Sequence, residues 1–278
     1  MKKITCVIDN SVKSSSPLWG EHGLAFRIDT DDGSVQFDTG ASAALLAHNL
    51  ARLDTVQRPI DAIVFSHAHF DHTGGLKAIL PEAGSKLPLY ANPDIFRPRY
   101  SRRPTGEYKF IGLAVNESEL AQYVDLRLKP NPVQIMPGLW TTGEITERPE
   151  PDGRSARHFV PAEAGWQADP YADDLSLVLE TETGLVVICG CCHAGLLNTL
   201  SHVRRIFERP ITTVIGGTHL VAADADYLQH VIDVLRNEYG TLTYYLNHCT
   251  GEPAFLALAS AFGNRVHSCP AGTALTFT

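Results

Sequence analysis

The chain has 278 residues, of which 44% are hydrophobic and 19% are charged, and its formal net charge at pH 7 is −8. An acidic chain without a basic stripe is a poor match for nucleic-acid binding, no apolar run is long enough to cross a bilayer, and the first residues lack the apolar core of a signal peptide. Because six cysteines in a chain of this length fit reduced thiols better than a disulfide scaffold, the sequence predicts a cytoplasmic protein.

The first eighty residues are predicted to alternate strands and helices. Period-two alternation and short apolar runs predict strands at residues 4–9, 23–29, 34–38 and 60–65. Asp32 and Gly33 are a hairpin turn signal between the second and third of these strands. Good helix formers at helical spacing predict helices at residues 41–53 and 75–80.

Residues 93–170 differ from the rest, because they are rich in Pro, Arg, Glu and Gly and show weak periodicity. Short strands are predicted at residues 133–136 and 139–142, joined by long loops. Loops of this length in a compact domain often cover a functional site. The segment is therefore predicted to be a lid-like insertion within a single domain that spans residues 1–278.

Strand and helix patterns return after Asp173 and Asp174. Strands are predicted at residues 175–180, 185–189, 211–215, 241–246 and 274–277, and helices at residues 195–207, 225–237 and 253–262. Hairpins followed by strand–helix units therefore occur twice along the chain. This order predicts an α/β fold in which two mixed β-sheets face each other, with helices on the outside.

Four candidate metal ligands, His67, His69, Asp71 and His72, lie within six residues directly after a predicted buried strand. Neutral imidazole and carboxylate are suitable ligands for zinc and similar divalent ions. At a strand end His67 and His69 point the same way, because side chains repeat with period two. Asp71 and His72 follow where the chain turns towards a helix, so they can face a second ion. The loop therefore predicts a site for one or two metal ions.

The run His67-Ala68-His69-Phe70-Asp71-His72 resembles the H-x-H-x-D-H signature of the metallo-β-lactamase superfamily. The run Phe37-Asp38-Thr39-Gly40 is similar to the family's Asp-x-Gly element at an early strand end, where the carboxylate supports the metal loop. The resemblance implies the family's αββα sandwich and a small-molecule substrate. It also implies one or two divalent ions, with Zn²⁺ as the first candidate and Mn²⁺ or Fe²⁺ as alternatives.

Further motifs are similar to one branch of that superfamily. They are Glu21-His22-Gly23 and the runs at residues 141–145, 190–195, 216–220 and 247–251. The branch is described as dihydropteroate-synthase-related, and its members carry the name 7,8-dihydropterin-6-methyl-4-(β-D-ribofuranosyl)-aminobenzene-5′-phosphate synthase. This resemblance implies a pterin-related or phosphorylated substrate.

The segment after Gly190 departs from the superfamily pattern, in which an aspartate follows the glycine and bridges two metals. Here Cys191, Cys192 and His193 follow instead. We predict that His193 completes the first metal site, with Cys191 as the alternative, although a free buried cysteine usually packs as an inert apolar group. His248 resembles the family's last metal-binding histidine and is predicted to hold the second metal.

Other polar residues are assigned to the substrate pocket. His219 follows two glycines and is predicted to donate a proton or to contact the substrate, with metal binding as the alternative. His22 is a further candidate pocket residue. An arginine cluster that could meet substrate phosphate consists of Arg97, Arg99, Arg102 and Arg103. The histidines interpreted as structural or solvated are His48, His158, His202, His230 and His267.

Together these residues predict a hydrolase in which a metal-bound hydroxide attacks an ester or phosphoester. Asp71 is predicted to bind metal and to orient or deprotonate the nucleophile, and His219 to protonate the leaving group. The alternative is a non-hydrolytic, metal-containing binding or redox protein on the same fold, because a fold alone does not decide the chemistry. The sequence gives no prediction of the oligomeric state.

Overall fold

The computed structural model describes residues 1–53, 58–81 and 86–278, and in these residues the chain forms eighteen strands and six α-helices. The strands are β1 (Lys2–Ile8), β2 (Ala25–Thr30), β3 (Gly33–Phe37), β4 (Ala62–Val64), β5 (Leu87–Ala91), β6 (Tyr100–Arg102), β7 (Tyr108–Phe110), β8 (Val124–Leu128), β9 (Gln134–Met136), β10 (Leu139–Thr141), β11 (His158–Ala162), β12 (Gly165–Ala168), β13 (Ser176–Thr181), β14 (Gly184–Cys189), β15 (Ile211–Gly216), β16 (Thr243–Leu246), β17 (Val266–Ser268) and β18 (Ala274–Phe277). The helices are α1 (Ala43–Arg52), α2 (Phe70–Thr73), α3 (Glu117–Leu120), α4 (Leu196–Phe207), α5 (Ala225–Glu238) and α6 (Glu252–Phe262). Among the described residues, no helix combines the length and the apolarity needed to cross a bilayer.

Two seven-stranded mixed sheets contain most of these strands. The first sheet has the order β18-β1-β2-β3-β4-β5-β8, with antiparallel pairs from β18 to β3 and parallel pairs from β3 to β8. The second has the order β17-β16-β15-β14-β13-β10-β9, with parallel pairs from β17 to β14 and antiparallel pairs from β14 to β9. The predicted α/β fold with two mixed sheets is therefore confirmed.

Apolar side chains from both sheets form a shared core. Phe26 and Phe37 of the first sheet belong to the same buried cluster as Leu177 and Ile188 of the second. Helix α1 packs against β1, and the buried faces of α4, α5 and α6 pack against the second sheet. The layers therefore follow the predicted order of helix, sheet, sheet and helix.

Local sequence explains where several of these elements lie. All six residues of β14 are buried, which is typical of a central strand that is covered on both faces. Ser42 accepts a hydrogen bond from the backbone N–H of Leu45 and so begins α1, and Asp224 does the same for Tyr227 at the start of α5.

The helix predicted at residues 75–80 is wrong, because the chain there forms only the end of a turn and a short 3₁₀ helix, Leu76–Ala78. Gly74 and Gly75 lie directly against the backbone that follows β3. A Cβ atom on Gly75 would stand 2.0 Å from the carbonyl oxygen of Thr39, and one on Gly74 would stand 2.3 Å from that of Ala41. This close approach holds α2 against the end of β3.

A smaller sheet with the order β12-β11-β6-β7 was not predicted. Its strands come from the two ends of segment 93–170, whereas β8, β9 and β10 of that segment join the larger sheets. The register places Ser101, Lys109 and His158 on one face of the small sheet. On the opposite face Tyr108 and Trp166 stack with their ring centroids 4.0 Å apart.

Candidate metal centre

The histidine-rich loop follows β4, and α2 begins within it. His67 and His69 lie in the loop, and Asp71 and His72 lie on α2. The side chains are inaccessible or nearly so, since the exposed fraction does not exceed 6% for any of the four residues. The ends of β14 and β16 approach this loop from the second sheet and bring His193 and His248 to it.

His67, His69 and His193 form a first group of donors, which we name the three-histidine set. The Nε2 atom of His67 lies 3.0 Å from the Nδ1 atom of His69, and the Nε2 atom of His193 lies 3.3 Å from the same nitrogen. Nitrogen ligands about 2.0–2.1 Å from a tetrahedral zinc ion stand roughly 3.3 Å from one another. The spacing therefore fits one cation, and coordination by His193 stays a prediction.

Burial sets the protonation of these three imidazoles. Loss of solvent lowers the pKa of His67, His69 and His193 well below the ordinary value, and positive charge on neighbouring side chains would lower it further. Neutral imidazole is the form that binds a metal. The three-histidine set can therefore accept a cation near neutral pH without first losing a proton.

Asp71, His72, His248 and His22 form a second group, which we name the mixed set. The Oδ2 atom of Asp71 lies 3.3 Å from the Nε2 atom of His22 and 3.5 Å from that of His248. The Nε2 atom of His72 lies 3.7 Å from the same oxygen and 3.2 Å from the Nε2 atom of His248. One carboxylate and several imidazoles at this spacing suit a divalent ion. His22, which the sequence assigns to the pocket, thus joins the candidate ligands.

Asp38 supports both donor sets through hydrogen bonds. Its Oδ2 atom lies 2.7 Å from the Nδ1 atom of His72 and accepts a hydrogen bond from the Ser66 hydroxyl, also at 2.7 Å. That hydroxyl lies 2.8 Å from the Nδ1 atom of His67, so one carboxylate orients two candidate ligands. Burial lowers the pKa of His72, but the charge and hydrogen bond of Asp38 outweigh it and raise the pKa above the ordinary value. A cation that binds at His72 therefore competes with a proton for this ring.

We expect Asp38→Asn to weaken metal binding by about 10- to 100-fold, because an amide lacks the charge that orients His72 and His67. Competition with a chromophoric chelator measures this affinity. The control is Asp125→Asn, which alters an exposed carboxylate paired with Arg127 and should leave the affinity unchanged. Equal affinities for Asp38→Asn and the unmodified protein would contradict the supporting role.

A pocket of about 250 Å³ opens above the two donor sets, and Ser101, Lys109 and His158 of the small sheet line it from the other side. His219, a predicted pocket residue, also lines it. The ring centroid of His219 lies 4.3 Å from that of His193. Burial lowers the pKa of His219, so its imidazole is mostly neutral near pH 7.

His158 also lines this pocket, although the sequence places it among the structural or solvated histidines. Its ring centroid lies 5.0 Å from that of His69, and its Nδ1 atom lies 2.7 Å from the hydroxyl oxygen of Tyr171. Burial lowers the pKa of His158 to about 4. Tyr171 also stacks on His193 with ring centroids 4.1 Å apart, so it contacts both His158 and His193. No sequence motif marks either residue.

Arg99 contacts the support of the metal loop and does not line the pocket. Its side chain is fully buried, with guanidinium nitrogens 2.7 Å from Asp173, 2.8 Å from Asp94 and 3.2 Å from Asp169. Asp173 in turn accepts a hydrogen bond at 2.8 Å from the backbone N–H of Ala68, between His67 and His69 in the chain. Arg99 therefore helps to position the loop.

The rest of the arginine cluster lies away from the donor sets. Arg97 pairs with Asp94 at 3.9 Å, and neither it nor Arg102 nor Arg103 lines the pocket. Of the described residues that do line it, Lys109 alone carries an ammonium or guanidinium group. Its Nζ atom lies 5.5 Å from the centre of the Phe70 ring. Sequence reasoning missed Lys109 because it stands alone in an irregular segment.

The turn after β14 sends successive side chains in different directions. The Sγ atom of Cys191 lies 3.1 Å from the Nε2 atom of His72, and His193 belongs to the three-histidine set. Cys192 between them packs in an apolar cluster with Leu196. Cys192 has a φ of 57°, a left-handed conformation that is uncommon for a residue with a side chain. Of the three side chains in this turn, those of Cys191 and His193 therefore lie at the site.

Comparisons with known proteins identify relatives over most of the chain. Residues 34–150 match the β-lactamase superfamily domain. The 7,8-dihydropterin-6-methyl-4-(β-D-ribofuranosyl)-aminobenzene-5′-phosphate synthase of Methanocaldococcus jannaschii is 30% identical, over 99% of this chain and 96% of its own. A metal-dependent hydrolase of the β-lactamase superfamily with a known crystal structure has 25% sequence identity to this chain. The two structures align with a TM-score of 0.85 over 100% of both chains. Zn²⁺-bound PqqB from Methylobacterium extorquens shares the fold at 12% identity, with a TM-score of 0.57 over 99% of this chain and 100% of its own.

Proposed function

Because this chain belongs to the metallo-β-lactamase superfamily and is a metal-dependent hydrolase, we propose that it hydrolyses an ester or phosphoester bond in a small phosphorylated molecule. The observation that carries the proposal is the pair of donor sets beside one pocket, with Lys109 on the opposite wall. Metal ligands on one side and a single cationic side chain on the other suit a substrate that carries an anionic group.

The chemistry of the donors supports divalent cations. The proposed ligands are His67, His69 and His193 in the three-histidine set, and Asp71, His72 and His248 with His22 in the mixed set. Zn²⁺ is the first candidate for a set of imidazoles and one carboxylate, and Mn²⁺ or Fe²⁺ are alternatives. When bound, such a cation supplies Lewis acidity, which activates water and polarises the bond to be broken.

Asp71 and His219 are proposed to move protons on either side of the substrate. The Asp71 carboxylate belongs to the mixed set and also lines the pocket, where it can orient an attacking water and accept its proton. His219 lies beside His193 and is neutral in the empty pocket, since burial lowers its pKa. An anionic substrate favours the protonated imidazole, which can then donate a proton to the leaving oxygen.

The wall formed by the small sheet supports the phosphorylated substrate. Lys109 offers a positive charge, and Phe70 beside it is 38% exposed and offers a flat aromatic surface. An ammonium group binds phosphate as a point charge, and an aromatic face packs against a planar ring. The relative of 30% identity is named for a dihydropterin joined to an aminobenzene ribofuranosyl 5′-phosphate. We therefore place a pterin-related or similar phosphorylated compound first among the substrates.

We expect Lys109→Gln to raise the KM of a phosphorylated substrate by about tenfold or more, since a hydrogen bond to a charged group contributes roughly 1.5–3 kcal/mol. The KM of a neutral ester should not change. The matched control is Arg102→Gln, because Arg102 lies on the opposite face of the same small sheet. If Lys109→Gln raises both KM values alike, Lys109 does not select the phosphate.

A panel of substrates tests the reaction class. The purified protein, loaded in turn with Zn²⁺, Mn²⁺ and Fe²⁺, is assayed with phosphomonoesters, phosphodiesters, a carboxylic ester and a lactone. We expect turnover of phosphorylated compounds in at least one metal form. A fully loaded protein that hydrolyses none of them would favour a binding protein, and iron-dependent electron transfer without hydrolysis would favour a redox protein.

The name of the same relative favours a second candidate function, which is synthesis of the compound for which that relative is named. The same metal-loaded preparations are tested for formation of that compound, with separation by chromatography and detection by mass. Its formation without hydrolysis of the panel would replace the hydrolytic proposal.

A further inference from the structure

We propose that Cys191 is a sulfur ligand of the metal centre and that its thiolate lies between the three-histidine set and the mixed set. The inference rests on the proposed function, since it assumes that these sets hold divalent cations. It assigns a metal-binding role to a cysteine that would ordinarily be an inert buried thiol.

The position of the sulfur atom is the first observation. The Sγ atom of Cys191 lies 3.1 Å from the Nε2 atom of His72. Donor atoms of Cys191, His67 and His72 all lie within 4.8 Å of one another, and the same holds for Cys191, His248 and Cys249. One sulfur therefore stands near a member of the three-histidine set and near two members of the mixed set. A cation in either set would have this atom as a neighbour.

The packing of the five buried cysteines is the second observation. Cys189 and Cys192 belong to the apolar cluster beneath the outer helices, and Cys6 and Cys269 belong to the cluster between the sheets. Cys191 is 3% exposed, yet it is in none of the apolar clusters of the described residues. Its sulfur instead lies among the polar donor atoms of His67, His72 and His248, which is where a metal ligand would lie.

The backbone around Cys191 is the third observation. A Cβ atom on Gly190 would stand 2.2 Å from the Ser66 hydroxyl oxygen, so only glycine lets this strand end approach the metal loop. The left-handed conformation of Cys192 then turns its own side chain into the core, while Cys191 and His193 face the donors. Such strain persists only where the surrounding structure enforces it, and it is frequent at binding sites.

The chemistry of this position follows from the donor type. Where the chain lacks a carboxylate after Gly190, a thiolate supplies the same single negative charge near the cations. Coordination releases the S–H proton to solvent and forms a metal–sulfur bond, with no change in oxidation state. Because sulfur is a soft donor, the centre should prefer zinc-like cations to magnesium or calcium.

Cobalt spectroscopy of the full chain tests the inference, with Co²⁺ alone as the probe. Cobalt stoichiometry and the visible d–d bands report whether the donor sets hold metal, and the near-ultraviolet sulfur-to-cobalt band reports the thiolate. We expect both signals in the unmodified protein. C191S should lose only the sulfur band, and the adjacent control C192S should keep both signals, as Cys192 packs in the core.

The outcomes separate the two proposals. Bound cobalt with d–d bands but no sulfur band in the unmodified protein would overturn the Cys191 assignment and leave the proposed function standing. A sulfur band that survives in C191S and disappears in C249S would also overturn it. Failure of every preparation to bind cobalt would overturn both. Should C191S not fold, C191D keeps the negative charge, and the spectrum of the unmodified protein already decides whether sulfur binds.

Discussion

Replacement of His193 by alanine is expected to remove bound metal and hydrolytic activity together. The side chain supplies one of three nitrogens in the three-histidine set, and the remaining His67 and His69 leave a cation short of ligands. Loss of a residue that only hydrogen-bonds to a metal ligand weakens metal binding by about 10- to 100-fold. Loss of the ligand itself should therefore weaken metal binding by more than about 100-fold. Elemental analysis after dialysis and turnover of the best substrate are measured on the same preparation.

Two further samples make the His193 experiment specific. His267→Ala removes an imidazole outside the site, stacked on Tyr245, and should change neither quantity. Added imidazole can enter the space left in His193→Ala and should restore part of both metal content and activity. A His193→Ala protein that keeps full metal content and full turnover would exclude His193 as a ligand.

Asp71→Asn should lower turnover by more than about 100-fold while the fold survives. The substitution keeps the size of the side chain but removes its charge and basicity, and acid–base groups contribute about 10²- to 10⁴-fold to rate. The Oδ2 atom of Asp71 also lies within 3.7 Å of the imidazole nitrogens of His22, His72 and His248 in the mixed set. Turnover is compared at equal metal content, and circular dichroism checks the fold.

The matched control for Asp71 is Asp233→Asn, which alters an exposed carboxylate on α5 that pairs with Arg236. Its turnover should equal that of the unmodified protein. Near-normal turnover of Asp71→Asn on every active substrate would show that neither proton transfer nor positioning depends on this carboxylate.

The sheets and the metal loop could be predicted because their signals are local. Alternation in β2 and β3 around the Asp32-Gly33 turn, and the uninterrupted apolar run of β14, determine strands with little help from distant residues. The dense run from His67 to His72 likewise needs no long-range contact to be noticed. His193 and His248 could be proposed because each follows a predicted strand end and stands where the resemblance to the superfamily implies a metal ligand.

The small sheet could not be predicted, since its two hairpins, β6–β7 and β11–β12, pair with each other across more than fifty residues of chain. The sequence around β6, β7 and β11 is rich in charged and turn-forming residues, so nothing local indicates that Ser101, Lys109 and His158 share one face. The burial of Arg99 could not be predicted for a related reason. An arginine in a charged segment usually faces solvent, and its three carboxylate partners lie before and after it in the chain.

Each donor set takes its members from both large sheets: His67, His69, Asp71 and His72 follow β4 of the first, whereas His193 and His248 follow β14 and β16 of the second. A cation held as proposed would therefore fasten the two halves of the sandwich together, and the unfolded chain would offer it no such cage. By mass action, ligand at 100 times its Kd stabilises the native state by about 2.7 kcal/mol. The folding equilibrium of this protein would then depend on the free metal concentration. A shortage of the ion would lower the stability of the native state as well as the activity.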